Sequence, residues 1–350
     1  MKNILQIIFL LFGTTFVKSD VVQDLSENAN REREIDYEKL WRPDENEKEL
    51  IDNEEINSIS RIKNLDKKIT FRLYTRETGS NYELLKTNDI DRLKASHFNP
   101  RRPTRFFSHG WRTEISKRNN LRDMIREAFL ENENSNLIMI TWYKLSFKPY
   151  FILRKNIDKM GKFIAEFINF LETEGMNLNN TTLVGLSLGS HVVGVTGYHT
   201  KRKVKNIIGL DPAWFLYDSC GTRCRISTES GKNVEILHTN DRIIGNPNQL
   251  GHLDFYPNGG RKQPGCIFDI FGLCSHHRAL LYYLESLTTK RGFYGMQCNS
   301  YKHFQSGECK GQTEIMGGVE LSFKKRGSYY LTTNSRKPYA KGEINKKNLN

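Results

Sequence analysis

The chain has 350 residues and carries 53 lysine or arginine against 40 aspartate or glutamate residues, a formal net charge of +13 at pH 7. This length is sufficient for one well-buried domain with short flanking segments. After residue 19 the chain has no run of the roughly 18 apolar residues that a membrane-spanning helix requires, which excludes such a helix there.

The first 19 residues have the order of a secretory signal peptide. Lys2 precedes an apolar run at residues 4–12, and residues 17–19 offer a cleavage site. The apolar run is too short to cross a bilayer as a helix. We therefore expect a secreted, extracellular protein.

Residues 20–66 form a polar segment in front of a predicted domain at residues 67–345. Between residues 20 and 55 the segment holds fourteen acidic and five basic residues without a sustained apolar period, which is typical of a solvated, disordered arm. Two interpretations are open. The arm is an extension that aids export, or it is a propeptide cut near Arg61, Lys63 or the pair Lys67 and Lys68.

The segments that follow alternate between strand and helix patterns. Short apolar runs predict strands at residues 69–74, 105–108 and 137–142. Apolar residues at helical spacing predict helices near residues 121–129 and 150–174. Strands that alternate with helices in this way predict an α/β fold with a mostly parallel sheet covered on both faces.

The stretch Gly185-Leu-Ser-Leu-Gly189 matches the G-x-S-x-G pattern of a nucleophile elbow. In that motif a strand turns sharply into a helix and leaves the serine exposed at the tip. Leu183 and Val184 predict the strand, and residues 191–198 predict the helix. Ser187 is therefore the candidate nucleophile. The alternative is a glycine-rich turn that happens to hold a serine, because so short a pattern also occurs by chance.

Candidate partners for Ser187 follow in the chain order of an α/β hydrolase, the acid before the histidine. Residues 204–210 predict a buried strand that ends at Asp211, and the carboxyl end of a strand is where a triad acid is expected. His276 lies in a loop before an apolar helix at residues 279–287. It is the candidate base, with His277 as the fallback.

Five ordered motifs can be compared with known families. They are Phe106-Phe-Ser-His-Gly-Trp111, Gly185-Leu-Ser-Leu-Gly-Ser-His-Val192, Gly209-Leu-Asp-Pro-Ala213, Asp254-Phe-Tyr-Pro-Asn-Gly-Gly260 with Gln263-Pro-Gly-Cys266, and Cys274-Ser-His-His-Arg-Ala279. With these motifs the chain resembles the pancreatic-lipase family of α/β hydrolases, and within it the secreted phospholipases A1 of the insect-venom type. The resemblance runs from about residue 69 to residue 342. It departs at Leu186 and Ser190, where the family often has histidine and alanine.

The resemblance implies an α/β-hydrolase fold with a serine, aspartate and histidine triad. Ser187 would attack an ester carbonyl, His276 would take its proton and later return one to the leaving alcohol, and Asp211 would orient the imidazole. The backbone N–H of Leu188, the residue after the nucleophile, would supply one donor of the oxyanion hole. By resemblance, the backbone N–H of Trp111 would supply the other.

The resemblance also implies that the segment between Cys266 and Cys274 acts as a lid over the active site. Residues 267–273 reach at most about 25 Å when fully extended, which is too short to cover a wide apolar mouth. A short lid is typical of the phospholipase A1 members, which cleave the sn-1 acyl ester of glycerophospholipids. A neutral triacylglycerol lipase and a catalytically inactive lipid-binding relative are the alternatives.

The predicted partner is a phospholipid membrane surface, with anionic lipid favoured by the positive charge of the chain. Because the chain ends at Asn350, we expect no C-terminal β-sandwich domain and therefore no colipase. We expect a monomer that binds no nucleic acid.

Six cysteines in an exported chain favour disulfides over metal ligation or redox catalysis. Fifteen connectivities are possible, and the spacing suggests sequential pairing, which the family resemblance supports for the second and third pairs. The expected pairs are Cys220 with Cys224, Cys266 with Cys274, and Cys298 with Cys309.

The remaining polar motifs are glycosylation sequons, and none of them predicts a cofactor site. Asn179 and Asn180 each begin an N-x-Thr sequon, and one of the two is expected to carry a glycan. We expect no cofactor and no catalytic metal, since no His, Cys or carboxylate grouping has ligand spacing. A structural calcium like that of some family lipases is not expected, because Ser227 and Ser230 stand where acidic ligands would be needed.

A structural role is considered for three further histidines. His109 and His238 are expected to be satisfied by backbone partners at buried turns. For His252 two interpretations are open: a structural role, or a role in orienting the loop beside the active site.

Overall fold

The computed structural model describes residues 62–113, 120–321, 323 and 326–344. The predicted signal peptide and nearly all of the acidic arm lie outside these residues. Ile62 and Leu65 are buried in the main hydrophobic core, and the Ile62 amide donates to Asn156 Oδ1 at 3.0 Å. The folded domain therefore includes residues before the predicted start at residue 67.

Strands and helices alternate along most of the described chain. The strands are β1 (Thr70–Tyr74), β2 (Glu83–Leu85), β3 (Thr104–Ser108), β4 (Asn136–Thr141), β5 (Thr181–Leu186), β6 (Asn206–Leu210), β7 (Asn233–Leu237), β8 (Leu253–Pro257), β9 (Tyr294–Gln297), β10 (Thr313–Ile315) and β11 (Gly327–Leu331). The helices are α1 (Leu65–Lys68), α2 (Ile90–Lys94), α3 (Asn120–Asn132), α4 (Tyr143–Ser146), α5 (Tyr150–Thr173), α6 (Leu188–His199), α7 (Leu273–Thr288) and α8 (Tyr301–Gln305).

Within the described residues these strands form one sheet in the order β10-β9-β11-β8-β7-β6-β5-β3-β4-β1-β2. The strands from β4 to β11 in this order are parallel to one another. Strands β1 and β2 at one edge and β9 and β10 at the other are antiparallel to their neighbours. The carboxyl ends of the parallel strands consequently share one edge of the sheet, which is where ligands bind in open α/β folds.

Both faces of the sheet are covered by helices. On one face Phe106, Ile138 and Leu183 pack in the same core as α5 and α6. The alternate strand residues, such as Val184, are equally buried on the other face, where α3 and α7 pack against each other. This arrangement confirms the predicted α/β-hydrolase fold.

Each of three disulfides joins cysteines that are close in sequence. They are Cys220–Cys224, Cys266–Cys274 and Cys298–Cys309, the sequential pairs expected above. None of the helices in the described ranges is both long enough and apolar enough to cross a membrane.

Candidate active site

Ser187 occupies the turn between strand β5 and helix α6. Its backbone has φ 57° and ψ −120°, a conformation that residues with a side chain rarely adopt. Two backbone hydrogen bonds hold it there: Ser187 N donates to Leu210 O at 2.9 Å, and Ala213 N donates to Ser187 O at 3.3 Å. Residues 185–189 therefore have the strand, turn and helix geometry of a nucleophile elbow.

The two glycines of the elbow allow close backbone approach. A Cβ atom on Gly185 would lie 2.2 Å from Gly189 O, and one on Gly189 would lie 2.4 Å from the backbone oxygens of Ser108 and His109. Any side chain at either position would push the turn away from the sheet. Both glycines are therefore required by the packing of the turn. This favours a nucleophile elbow over a glycine-rich turn that holds a serine by chance.

Asp211 follows β6, the neighbour of β5, and is fully buried. Its Oδ1 accepts hydrogen bonds from the amides of Thr239 at 2.8 Å and Asn240 at 3.0 Å. Its Oδ2 lies 2.6 Å from His276 Nδ1. With both oxygens occupied, the carboxylate has one orientation, in which it holds the His276 imidazole with Nδ1 protonated.

His276, rather than the fallback His277, makes this pair. His277 Nδ1 lies 2.8 Å from Leu273 O within α7, and burial lowers the pKa of His277 to about 4. His277 is therefore a neutral helix residue, and the hydrogen bond to Asp211 is made by His276.

Ser187 and the Asp211–His276 pair lie at the same sheet edge, but no hydrogen bond joins Ser187 Oγ to His276 among the described contacts. Catalytic hydrogen bonds are often long in proteins without substrate. The structure thus brings the acid and the base into contact and places the serine on the adjacent strand end.

Two backbone amides are available beside Ser187. The backbone of Gly110 is close enough that a Cβ there would lie 3.1 Å from Ser187 Cβ. Among the hydrogen bonds of the described residues, the amides of Trp111 and Leu188 have no acceptor. The Trp111 indole donates to Lys148 O at 3.0 Å, which fixes this residue while leaving its amide free. These are the two donors expected of an oxyanion hole.

Turns outside the motifs also shape the site. The amides of Thr239 and Asn240 that hold Asp211 follow β7, the strand next to β6. Gly245 packs on the carboxylate, since a Cβ there would lie 2.4 Å from Asp211 Oδ1. Sequence reasoning missed these positions. A polar run directly after a predicted strand was the pattern that could have indicated them.

Among the three remaining histidines, the structure confirms the assignment of His109. His109 Nδ1 lies 2.8 Å from Gly110 O, and His109 Nε2 accepts from Trp142 N at 3.0 Å, so its partners are backbone groups as predicted. The prediction for His238 is incomplete, because one of its two partners is the carboxylate of Asp254.

His252 does not orient the loop beside the active site, and its structural interpretation is confirmed. Its Nδ1 accepts from Val234 N at 3.0 Å, near the amino end of β7. The site lies at the carboxyl ends of the strands, so His252 is at the opposite edge of the sheet. Sequence proximity to Asp254 was misleading because residue 252 precedes β8, whereas the site follows the strands.

The lid at residues 267–273 is a compact loop closed by Cys266–Cys274. Asp269 accepts from the amides of Cys274 at 2.9 Å and Ser275 at 2.8 Å, which ties the loop to the start of α7. Four apolar side chains of the lid point into solvent with exposed fractions between 51% and 90%: Ile267, Phe268, Ile270 and Phe271.

The predicted glycosylation and calcium positions differ in their surroundings. Asn179 is exposed and its Oδ1 accepts from Lys232 Nζ at 2.6 Å, whereas Asn180 is half-buried. Ser227 and Ser230 cap a short 3-10 helix with their own side chains. The described residues contain no cluster of three His, Cys, Asp or Glu side chains that could hold a metal ion.

A mostly parallel sheet, a serine elbow and a buried aspartate–histidine pair at its carboxyl edge define an α/β hydrolase. The Lipase family model matches residues 33–339. The chain belongs to the Lipase family, and the resemblance to pancreatic lipases is confirmed.

Several curated relatives support this assignment. The chain is 36% identical over 249 residues to pancreatic lipase-related protein 2 of Cavia porcellus, covering 68% of this chain and 56% of the relative. It is 34% identical over 262 residues to pancreatic triacylglycerol lipase of Myocastor coypus, covering 68% and 57%. It is also 34% identical over 262 residues to inactive pancreatic lipase-related protein 1 of Homo sapiens, covering 68% and 56%. The chain thus spans little more than half the length of these relatives.

Proposed function

We propose that the chain is a secreted serine esterase that hydrolyses the sn-1 acyl ester of glycerophospholipids, a phospholipase A1. The observation that carries ester hydrolysis is the Asp211–His276 pair, 2.6 Å apart, at the sheet edge where Ser187 sits in a strained turn. One of the matching relatives is named as inactive, so membership of the family does not by itself imply catalysis. The proposal of ester hydrolysis therefore rests on the residues of the site.

In the proposed reaction Ser187 Oγ attacks the acyl carbonyl carbon while His276 Nε2 takes the serine proton. Asp211 stabilises the imidazolium that forms, and the amides of Trp111 and Leu188 donate to the oxyanion. The carbon–oxygen bond to the glycerol breaks as Nε2 returns the proton to the leaving oxygen. Water then repeats the sequence and releases the fatty acid. Each oxyanion donor contributes about 3–4 kcal/mol in comparable enzymes.

The lid supports phospholipid as the substrate. A seven-residue loop folded on its own disulfide and on Asp269 has no length left to cover a wide apolar mouth. Its four exposed apolar side chains are suited to contact with the acyl region of a lipid surface. The partner we propose is a phospholipid membrane, contacted by a monomer without colipase or nucleic acid.

An extracellular location fits the chemistry of the chain. Three disulfides persist in oxidising compartments and not in the cytosol. In such a compartment the exposed Asn179 is the better glycan acceptor of the two sequons, because Asn180 is half-buried.

The deciding experiment is positional analysis of the products. The secreted protein is incubated with phosphatidylcholine that carries different acyl chains at sn-1 and sn-2, with phosphatidylserine and with triolein. Release of the sn-1 chain supports the proposal. Preferential hydrolysis of triolein would make the chain a neutral lipase, and no hydrolysis of any ester would make it an inactive relative.

The Ser187→Ala variant is the matched control. We expect loss of hydrolysis on the order of 10⁶-fold in kcat, because triad residues act as a unit. The unfolding temperature should not change, since alanine and serine are equally strained in the backbone conformation of residue 187. Undiminished turnover would remove Ser187 from the mechanism.

A further inference from the structure

His238, the first residue after β7, has a fully buried ring with an unusual pair of partners. Its Nδ1 lies 2.9 Å from Asn246 O and its Nε2 lies 2.8 Å from Asp254 Oδ1. A carbonyl oxygen can only accept a hydrogen bond, so Nδ1 must carry a hydrogen.

Both carboxyl oxygens of Asp254 accept hydrogen bonds from the backbone. Its Oδ1 accepts from Leu250 N at 3.0 Å and its Oδ2 accepts from Gly251 N at 3.1 Å. Nε2 of His238 therefore also faces an acceptor and must carry a hydrogen.

Two other buried histidines, His109 and His191, each face one donor and one acceptor. His109 Nε2 accepts from Trp142 N, and His191 Nδ1 accepts from Ile226 N at 3.3 Å. The neutral ring satisfies each of these pairs, whereas His238 requires both hydrogens. The Tyr256 ring stacks on the His238 ring at 4.4 Å and 4°, which fixes the plane of the imidazole.

This ring connects the segments that surround the triad acid. The next two residues, Thr239 and Asn240, donate their amides to Asp211 Oδ1. Asn246, whose carbonyl His238 binds, donates its own amide to Pro212 O at 2.8 Å. The titratable groups that interact electrostatically in this region include His238, Asp254, Asp211 and Asp241, with Arg242 and Arg261 beside Asp241 and with Glu235, His252 and Tyr256 beside Asp254.

We propose that His238, which carries a hydrogen on both ring nitrogens and is paired with Asp254, positions Asp211 by fixing the turn that holds its carboxylate. His238 does not touch the reacting atoms and is a positioning residue. The catalytic consequence rests on the proposed ester hydrolysis, but the protonation state does not.

The first test is spectroscopic and uses the unmodified protein. With ¹⁵N-labelled histidine, His238 should show two protonated ring nitrogens at pH 7, and the resonances are assigned by their loss in His238→Gln. A neutral-tautomer signature for this ring would overturn the proposal whether or not the protein hydrolyses any ester.

The second test is kinetic, on a soluble short-chain ester. Asp254→Asn should lower kcat on the order of tenfold to hundredfold with KM unchanged, less than the about 10⁴-fold cost of replacing a triad acid. The matched control is Asp158→Asn, which removes the partner of His199 at 2.6 Å on the surface and should leave kcat unchanged.

If Asp254→Asn does not fold, His238→Gln replaces it, because glutamine retains a donor for Asp254 but no charge. Wild-type kcat in either folded variant would overturn the positioning role. Absence of hydrolysis in the unmodified protein would count against the proposed function alone, with the spectroscopic test still deciding the imidazolium.

Discussion

Among single residues, Glu235 of β7 is a carboxyl group enclosed in the sheet. Its side chain is fully buried, Oε1 accepts from Gly317 N at 2.8 Å, and Oε2 has no partner. Burial, together with the nearby carboxyl groups of Glu314 and Asp254, raises the pKa of Glu235 to about 8. At neutral pH this residue is mostly protonated in the folded protein and ionised in the unfolded chain.

Stability should therefore fall as pH rises between the two pKa values. Below the unfolded value of 4.5 both states hold the proton, and above about 8 neither does, so the loss accumulates within this window. Glu235→Gln should remove this loss, on the order of a few kcal/mol between pH 4.5 and pH 8.

The measurement is denaturant unfolding of both proteins at pH 5 and pH 8.5. The readout is the change in the free energy of unfolding between the two pH values. The added amide N–H₂ group of glutamine lacks a partner at every pH, so its cost cancels in this change. The exposed Lys162→Gln variant, which removes a surface ion pair with Asp158, serves as a control for charge change alone. An identical pH slope in wild type and Glu235→Gln would show that Glu235 is ionised in the fold.

At the scale of the elements, the lid owes its shape to Cys266–Cys274. Replacing both cysteines by serine should loosen residues 267–273 and cost about 2–3 kcal/mol on the chain-entropy description. We expect activity on vesicles to change more than hydrolysis of a soluble ester, since the disulfide would no longer restrain the exposed apolar side chains of the lid.

The matched control is the double serine variant of Cys298 and Cys309, a disulfide of similar loop length between β9 and β10. That variant should lose stability without altering the ratio of vesicle to soluble-ester activity. Equal changes of this ratio in both variants would show that the lid has no specific role in activity on vesicles.

Local patterns predicted the elements well where periodicity and burial agree. The helix expected at residues 150–174 is Tyr150–Thr173, and the strand expected at 69–74 is Thr70–Tyr74. The chain order of the motifs also predicted that Asp211 and His276 act as a pair. The amides of Thr239 and Asn240 could not be found in this way, because their role depends on β7 lying beside β6, a pairing that local sequence does not encode.

At the scale of the whole molecule, the net positive charge is the property that can act on a membrane at a distance from the active site. Without residues 1–55 the chain carries 46 basic and 26 acidic residues, an excess of about 20 positive charges. A basic residue held within a Debye length of an anionic membrane contributes roughly 1 kcal/mol. Many of these residues could instead serve solubility alone.

We expect vesicles containing phosphatidylserine to be hydrolysed faster than vesicles of pure phosphatidylcholine, with added salt narrowing the difference. Removal of the acidic residues 20–55 should widen the difference at low salt. Initial rates at two salt concentrations check both statements. Equal, salt-insensitive rates on the two vesicle types would mean that charge does not bring this protein to its substrate.

The position of β11 has a consequence for synthesis. This strand lies between β8 and β9, yet it is made about 70 residues after β8. During synthesis the sheet therefore has a gap, and the edges of β8 and β9 that face each other stay unpaired until Gly327–Leu331 is made. Open strand edges favour aggregation, so the chain without β11 should aggregate more readily than the complete fold.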